Sequence, residues 1–419
     1  MTAHMPPPSV MPRAAPPGPA FFGWRVVGAA FVVALFGWGA GFYGPAIYLH
    51  AVQEARGWPV SLVSAAITTH FLFGALAVAN LARLHRRFGL VAVTRAGGIA
   101  AALGLPGWAL AEAPWQLFAA TAFTGFAWAA TGGAALNAIV APWFVRRRPA
   151  ALSLAYNGAS AAGVVMTPLW VALIALAGFG GAALLVGAVM ALALWWIAGR
   201  FLAPTPAMLG QAPDGGAPGV APAPVSDAAP LAGSPWRERR FVTLAAGNGI
   251  ALFAQLGLIA HLFSMLVPQI GEGGAGLAMA VATSAAIVGR LCLGWLLAPG
   301  ADRRRWAAAN IGLQILACLV LLAADGAPAL LLLGVVLFGF ALGNVTTLPP
   351  LIAQQDFAAA DTARIVGLVT ASGQALYAFA PALFGLLREL DASGSALFLA
   401  AAVAQLAAAA AFLAGRRGR

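Results

Sequence analysis

The sequence has no lysine; all 23 of its basic residues are arginine. Without lysine there can be no Gly-Lys-Ser/Thr phosphate loop, and the 50 glycines are dispersed, so an ATP-driven pump is not expected. Charge of any sign is scarce, at 8% of residues, where soluble globular domains carry about 25%. There are only two cysteines, Cys292 and Cys318, both inside apolar runs. They read as small buried hydrophobes, not as a disulfide or metal site. No Ser/His/Asp set and no metal-ligand set converges on one part of the chain, so an enzyme is not expected, nor a cofactor.

What the sequence does have is apolar length: 62% of its 419 residues are hydrophobic. About 20 apolar residues make a helix that crosses a bilayer. Twelve segments of that kind can be marked, at 24–49, 59–81, 95–112, 116–141, 150–177, 180–202, 241–267, 276–298, 306–324, 327–353, 364–387 and 393–414. The expected fold class is therefore an all-α membrane protein of 12 transmembrane helices in two six-helix halves. Residues 1–22 read as a disordered cytoplasmic tail, 23–202 as the N-terminal half and 241–415 as the C-terminal half. Between the halves, 203–240 is a Pro/Ala/Gly-rich linker that cannot build a packed core. Residues 416–419 form a basic tail.

The net charge of +11 would suit nucleic acid only on one solvated face, and the arginines instead fall in short clusters between apolar runs. Twenty of the 23 lie on one set of alternate connections and the two tails. By the positive-inside rule both termini are cytoplasmic, in a bacterial-type inner membrane. Arg56 and Arg388 fall on the other side, and Arg290 on neither.

Several stretches carry a family resemblance: GWRVV at Gly23, GWPVSLVS at Gly57, WFVRRRPAALSLAYNGASAAG over Trp143 to Gly163, and GRLCLGW at Gly289. Together with the six-plus-six layout, they make the chain resemble the monocarboxylate transporter and oxalate–formate antiporter branch of the major facilitator superfamily. The resemblance covers about residues 20–415. It implies the major facilitator fold, with a central cavity between the halves. The superfamily's Gly-x-x-x-Asp-Arg signature is altered here: ARLHRRFG places Ala82 and Arg86 where Gly and Asp are usual. Its second copy keeps Asp302 and Arg303, displaced by extra residues. Arg86, Arg87, Gly89, Asp302 and Arg303 are the expected cytoplasmic gate.

Arg290 is the sharpest single feature. It lies deep in the eighth segment, in AAIVGRLCLGWLL, with no other charge between Gly276 and Ala298. An arginine at that depth costs about 2.5–3.5 kcal/mol on insertion scales, so it faces protein or a water-filled cavity and has a partner. All twelve acidic residues fall in tails, loops or segment ends, which leaves an anionic substrate as the expected partner. The guanidinium fork suits a carboxylate, and the resemblance implies the same role. The proton-coupled members carry an aspartate one turn earlier, where this chain has Ala286; the oxalate–formate type has a basic residue in the eleventh segment, but here Arg290 is the only deep basic residue charged at all ordinary pH. That favours a singly charged anion. Tyr377, Asn157, Gln374, Tyr43, Gln255 and Asn344 are the other expected substrate contacts. Amides inside a membrane serve equally as glue between helices. His261 and His70 are the candidates for carrying a coupling proton, against a plain structural role.

The expectation is thus a secondary carrier for a small organic anion, working as a monomer in the lipid bilayer with no nucleic-acid partner. A drug or metabolite exporter of the same fold is the alternative, and a non-transporting membrane sensor or scaffold is the alternative outside that class.

Overall fold

A computed structural model describes residues 21–216, 231, 233–298, 300–391 and 393–416. The N-terminal tail up to residue 20, the middle of the linker (217–230) and residues 417–419 lie outside the described residues. The elements are α-helices α1 (Gly23–Gly41), α2 (Gly44–Arg56), α3 (Val60–Leu110), α4 (Pro114–Thr131), α5 (Gly133–Val140) and α6 (Arg148–Ile197) in the first half. The second half has α7 (Arg239–Leu296), α8 (Arg303–Leu322), α9 (Pro328–Asp356), α10 (Ala359–Tyr377), α11 (Ala380–Leu390) and α12 (Ser395–Ala414). Among the described residues there is no strand.

Local sequence explains the starts. Proline stands in the first two positions of α2, α4, α6, α9 and α11, where its missing N–H is no loss and its fixed φ suits the helix. The carboxylate of Asp302 caps α8 by accepting from the amides of Arg304 and Arg305, 3.0 and 3.1 Å away. Gly57, at φ 63°, ends α2 in the left-handed region.

Nine helical stretches are long and apolar enough to cross a membrane among the described residues, where twelve segments are expected. The difference lies in three of them, which run 51, 55 and 58 residues. Each is interrupted at one glycine: Gly89 (φ 82°), Gly178 (φ 68°) and Gly271 (φ 70°). That φ is open to glycine at no steric penalty, and the chain doubles back there. In α3, Gly74 packs on Gly125 of α4 while Gly104 packs on Thr124. A straight helix would hold positions 74 and 104 about 45 Å apart, at 1.5 Å per residue. In α7, Gln255 bonds to the carbonyl of Leu342, and Ala286 lies against Gly343. In α6, one limb packs on Phe31 through Gly158, and just beyond the other limb Phe201 stacks on Phe22. Thus each glycine joins two antiparallel limbs.

Small residues set the spacing between helices, as in membranes where close backbone packing replaces the hydrophobic drive. A methyl on Gly97 or Gly107 of α3 would come 2.6 or 2.7 Å from the Cβ of Ala130 or Ala120 on α4. Large apolar side chains such as Leu176, Leu192, Trp295 and Leu390 point outward.

The halves meet along two antiparallel seams. On one, Ser160, Gly163 and Val171 of α6 face Arg290, Thr283 and Gly276 of α7. On the other, Ser61, Ser64, Thr68 and Phe71 of α3 face Glu389, Gly385, Ala382 and Tyr377. Every hydrogen bond and ring contact described here between the halves lies from the level of Arg290 and Tyr377 toward the end that holds Arg56 and Arg388. Beyond that level, toward the arginine-rich end, Ser153, Asn157 and Thr370 are exposed. The molecule is closed at its arginine-poor end and open at the other.

The linker is fastened to both halves. Asp214 accepts hydrogen bonds from the amides of Arg146 (2.8 Å), Arg147 (3.1 Å) and Val145 (3.3 Å), just before α6. Leu231 donates to Asp361 at the start of α10, 2.8 Å away. Burial acts to raise the Asp214 pKa, but those three amides outweigh it and leave the carboxyl below its ordinary value. A depressed pKa contributes stability above the unfolded value that is lost as pH falls through the folded value. Asp214→Ala should therefore lower stability by about 1 kcal/mol, as for a lost helix cap. Melting curves from pH 7 downward check this: the gap between variant and parent closes in acid.

Candidate functional site

The site is built around Arg290, on the second limb of α7. Its Nη1 donates to the hydroxyl of Ser160 on α6, 3.2 Å away, so the side chain reaches from one half to the other. A methyl added at Gly343 of α9 would stand 3.1 Å from Nη2, which places that nitrogen against the α9 backbone. Nε is buried and has no hydrogen-bond partner among the described residues. None of the ion pairs of the described residues includes Arg290. A guanidinium carries five N–H donors, and a buried charge without a counter-charge is costly.

Tyr43 joins it from the break between α1 and α2. Its ring is buried, and its hydroxyl lies within hydrogen-bonding reach of Thr283 and in the field of Arg290. Thr283 is two turns before Arg290 on the same face of α7, and its own hydroxyl donates to Met279 O at 2.9 Å. That leaves the Thr283 oxygen free to accept. Asn157 is exposed, one turn before Ser160, on the open side of the seam. Tyr377 and Gln374, at the end of α10, lie within hydrogen-bonding reach of each other. The Tyr377 ring meets Phe71 edge-on across the halves, centroids 5.7 Å apart.

Other expected contacts are committed elsewhere. Gln255 donates to Leu342 O (3.3 Å) and Asn344 to Gly289 O (3.4 Å) and to Asn310 (3.0 Å). These bonds pin α7 to α9 and α8, and so fix the backbone that carries Arg290. Asn248 likewise reaches Val369 O at 3.5 Å. Both ring nitrogens of His70 are satisfied, by Thr124 (2.9 Å) and the Gly41 carbonyl (3.0 Å), which is a structural arrangement. His261 has Nε2 3.1 Å from Pro381 O, and its Nδ1 is buried with no hydrogen-bond partner among the described residues.

The expected gate residues separate into two sets. Arg86 and Arg87 are exposed, with Arg87 over the ring of Phe88 at 5.2 Å, and Gly89 is the turn itself. In the second half Asp302 binds Arg416 at 2.6 Å, and Arg303 donates to Leu351 O. These contacts stay within one half. Beside them lies a feature that the sequence reading missed: Arg304 is buried and bound to Asp356 at 2.8 Å. It also donates to Thr243, Phe412 O and Arg240 O. Ser160 and Thr283 were missed too. The spacing of Thr283 from Arg290 was a usable signal, whereas Ser160 sits in a run of small residues that reads only as packing.

Comparison with known proteins bears on what such a site is for. The family model for the Major Facilitator Superfamily matches residues 29–381. Monocarboxylate transporter 11 of Mus musculus is 29% identical over 298 residues, covering 69% of this chain and 62% of the mouse protein. The Homo sapiens protein of the same name is 29% identical over 301 residues, covering 70% and 60%. The chain thus spans about three-fifths of the length of these relatives. Among solved structures, the nucleoside transporter NupG superposes with a TM-score of 0.71 at 14% identity, covering 94% of this chain and 98% of that one. A bacterial homologue of the human lysosomal transporter Spinster, inward-facing and occupied, gives 0.67 at 13%, covering 95% and 96%. At such identities these two likenesses speak to fold alone. The match over most of its length places the chain in the Major Facilitator Superfamily: it belongs to that family of membrane transporters and is not an enzyme.

Proposed function

We propose that the chain is a secondary carrier for a small organic anion of the monocarboxylate kind, working by alternating access. The observation that carries the reading is Arg290, a guanidinium at the seam between the halves whose buried Nε has no partner, and which has no carboxylate paired to it, among the described residues. A substrate carboxylate supplies what is missing, through two parallel charge-assisted hydrogen bonds. Tyr43 and Thr283 bound the same spot, and Asn157 lies on the approach from the open end. The likeness to proteins named monocarboxylate transporters points the same way.

With each doubled-back helix read as two passes, the chain crosses the bilayer twelve times and both termini share a side. The arginine excess makes that side the cytoplasm, in a bacterial-type inner membrane, and the open end then faces inward. The carrier works as a monomer. If a proton accompanies the anion, His261 is the better of the two histidines, since His70 has no free nitrogen.

Thermal unfolding of the purified protein against monocarboxylates, dicarboxylates and hydrophobic cations tests this. A ligand at one hundred times its dissociation constant stabilises by about 2.7 kcal/mol. Stabilisation by a monocarboxylate, lost in Arg290→Gln, is the expected result. Stabilisation by hydrophobic cations alone would make the exporter reading the correct one.

A further inference from the structure

At the arginine-poor end, His50 and Glu272 face each other across the junction of the halves, Nε2 to Oε1 at 3.4 Å. His50 lies on α2 and Glu272 follows the glycine at which α7 doubles back. They border a cavity of about 270 Å³ that Glu54 also lines. Glu54 is one turn along α2 from His50, so two carboxylates, one from each half, share that wall with a single histidine. Among the described residues that line it, the surrounding elements add no cation. From α6 come Val171, Ile174 and Phe179. From the first limb of α7, Phe263 meets the His50 ring edge-on at 5.6 Å. The nearby Arg56 is directed elsewhere, its Nε donating to Ala111 O at 2.8 Å.

The charge on His50 therefore decides whether this junction attracts or repels. With a neutral imidazole, Glu54 and Glu272 present like charges across it. With an imidazolium, a cation stands between carboxylates from opposite halves. Histidine changes charge between pH 5 and 8. The geometry points to His50, Glu54 and Glu272 as a proton-operated latch that holds the arginine-poor ends of the two halves together in acid. This rests on the carrier reading above, and adds that acid on that face favours the state open at the opposite end. Lowering the pH thus shifts the population toward closure, and raising it releases the latch. Glu272 is 47% exposed, so the proton arrives from solvent on the same face. The latch senses that pH and carries no proton across.

The test uses the full chain in lipid nanodiscs without substrate, with Cys292 and Cys318 replaced by alanine. Nitroxides are attached at Trp115→Cys and Leu390→Cys, exposed positions in opposite halves near this end. Between pH 8 and pH 5.5, double electron–electron resonance should show the ratio of short to long distances rising about two- to fivefold, the range a partly exposed ion pair can supply. His50→Gln and Glu272→Gln should each remove the shift, and His50→Arg should hold the short distance at both pH values. A parent protein with no shift, or a shift that survives His50→Gln, would overturn the latch. No substrate is present, so this outcome is separate from the carboxylate assays. The latch can fail while flux remains, and flux can fail while the latch responds.

Discussion

Replacing Arg290 by lysine should lower monocarboxylate flux by about tenfold to a hundredfold while leaving folding intact. The change keeps the positive charge and the reach toward Ser160, but an ammonium is a point charge and cannot give two parallel bonds to a carboxylate. One hydrogen bond to a charged group is worth about 1.5–3 kcal/mol, which is the stated range in affinity. Arg290→Gln should go further, to background flux, because it removes the charge as well. Counterflow of a labelled monocarboxylate into proteoliposomes measures both. Full activity in the lysine variant would mean that charge alone suffices, and full activity in the glutamine variant would remove Arg290 from the transport path. Stability should move little in the lysine variant, since the guanidinium has no carboxylate to abandon among the described residues.

The second large effect is on folding. Arg304 and Asp356 are 2% and 9% exposed, and their side chains meet at 2.8 Å. Removing one member of such a pair leaves an uncompensated buried charge, at about 3–5 kcal/mol. Asp356→Ala should therefore melt far below the parent or fail to accumulate. Arg304 ties α8 to α7 and α12 through Thr243, Arg240 O and Phe412 O, so the loss spreads over the arginine-rich end of the second half. Replacing both residues by apolar ones of similar size should recover much of the loss, because the penalty belongs to the orphaned charge. A thermal melt of the single and double variants decides it. A double variant no better than the single would mean that the other hydrogen bonds of Arg304 carry the stability.

Much of this molecule is legible in its sequence because a bilayer imposes length and polarity on every segment. The apolar runs locate the helices, and each expected gap at 89, 178 and 271 contains the glycine at which a long helix turns back. Arg290 stands out for the same reason: a charge at that depth is conspicuous against an apolar background. What periodicity cannot supply is which polar side chains meet. Gln255 and Asn344 look like cavity residues until their partners are seen to be backbone carbonyls of the neighbouring helix. Ser160 looks like packing until Arg290 is found against it. Arg304 is hidden inside a run of three arginines that reads as a solvated cluster, and Asp356 gains meaning only once α9 brings it alongside. His50, near the end of a segment and close to Glu54, draws no notice until the other half supplies Glu272.

The single-glycine turns also bear on how the chain enters its membrane. At Gly178 the two limbs of α6 are joined with no connecting loop, and the flanking sequence from Ala172 to Ala191 holds no charged residue. On the proposed orientation that turn must be carried to the far side of the bilayer. A charged residue at the hydrocarbon midplane costs about 2.5–3.5 kcal/mol, and this turn brings none. At Gly271 the burden is one carboxylate, Glu272. Each pair can thus insert as a helical hairpin, its backbone amides already satisfied within the limbs, with no polar loop to translocate.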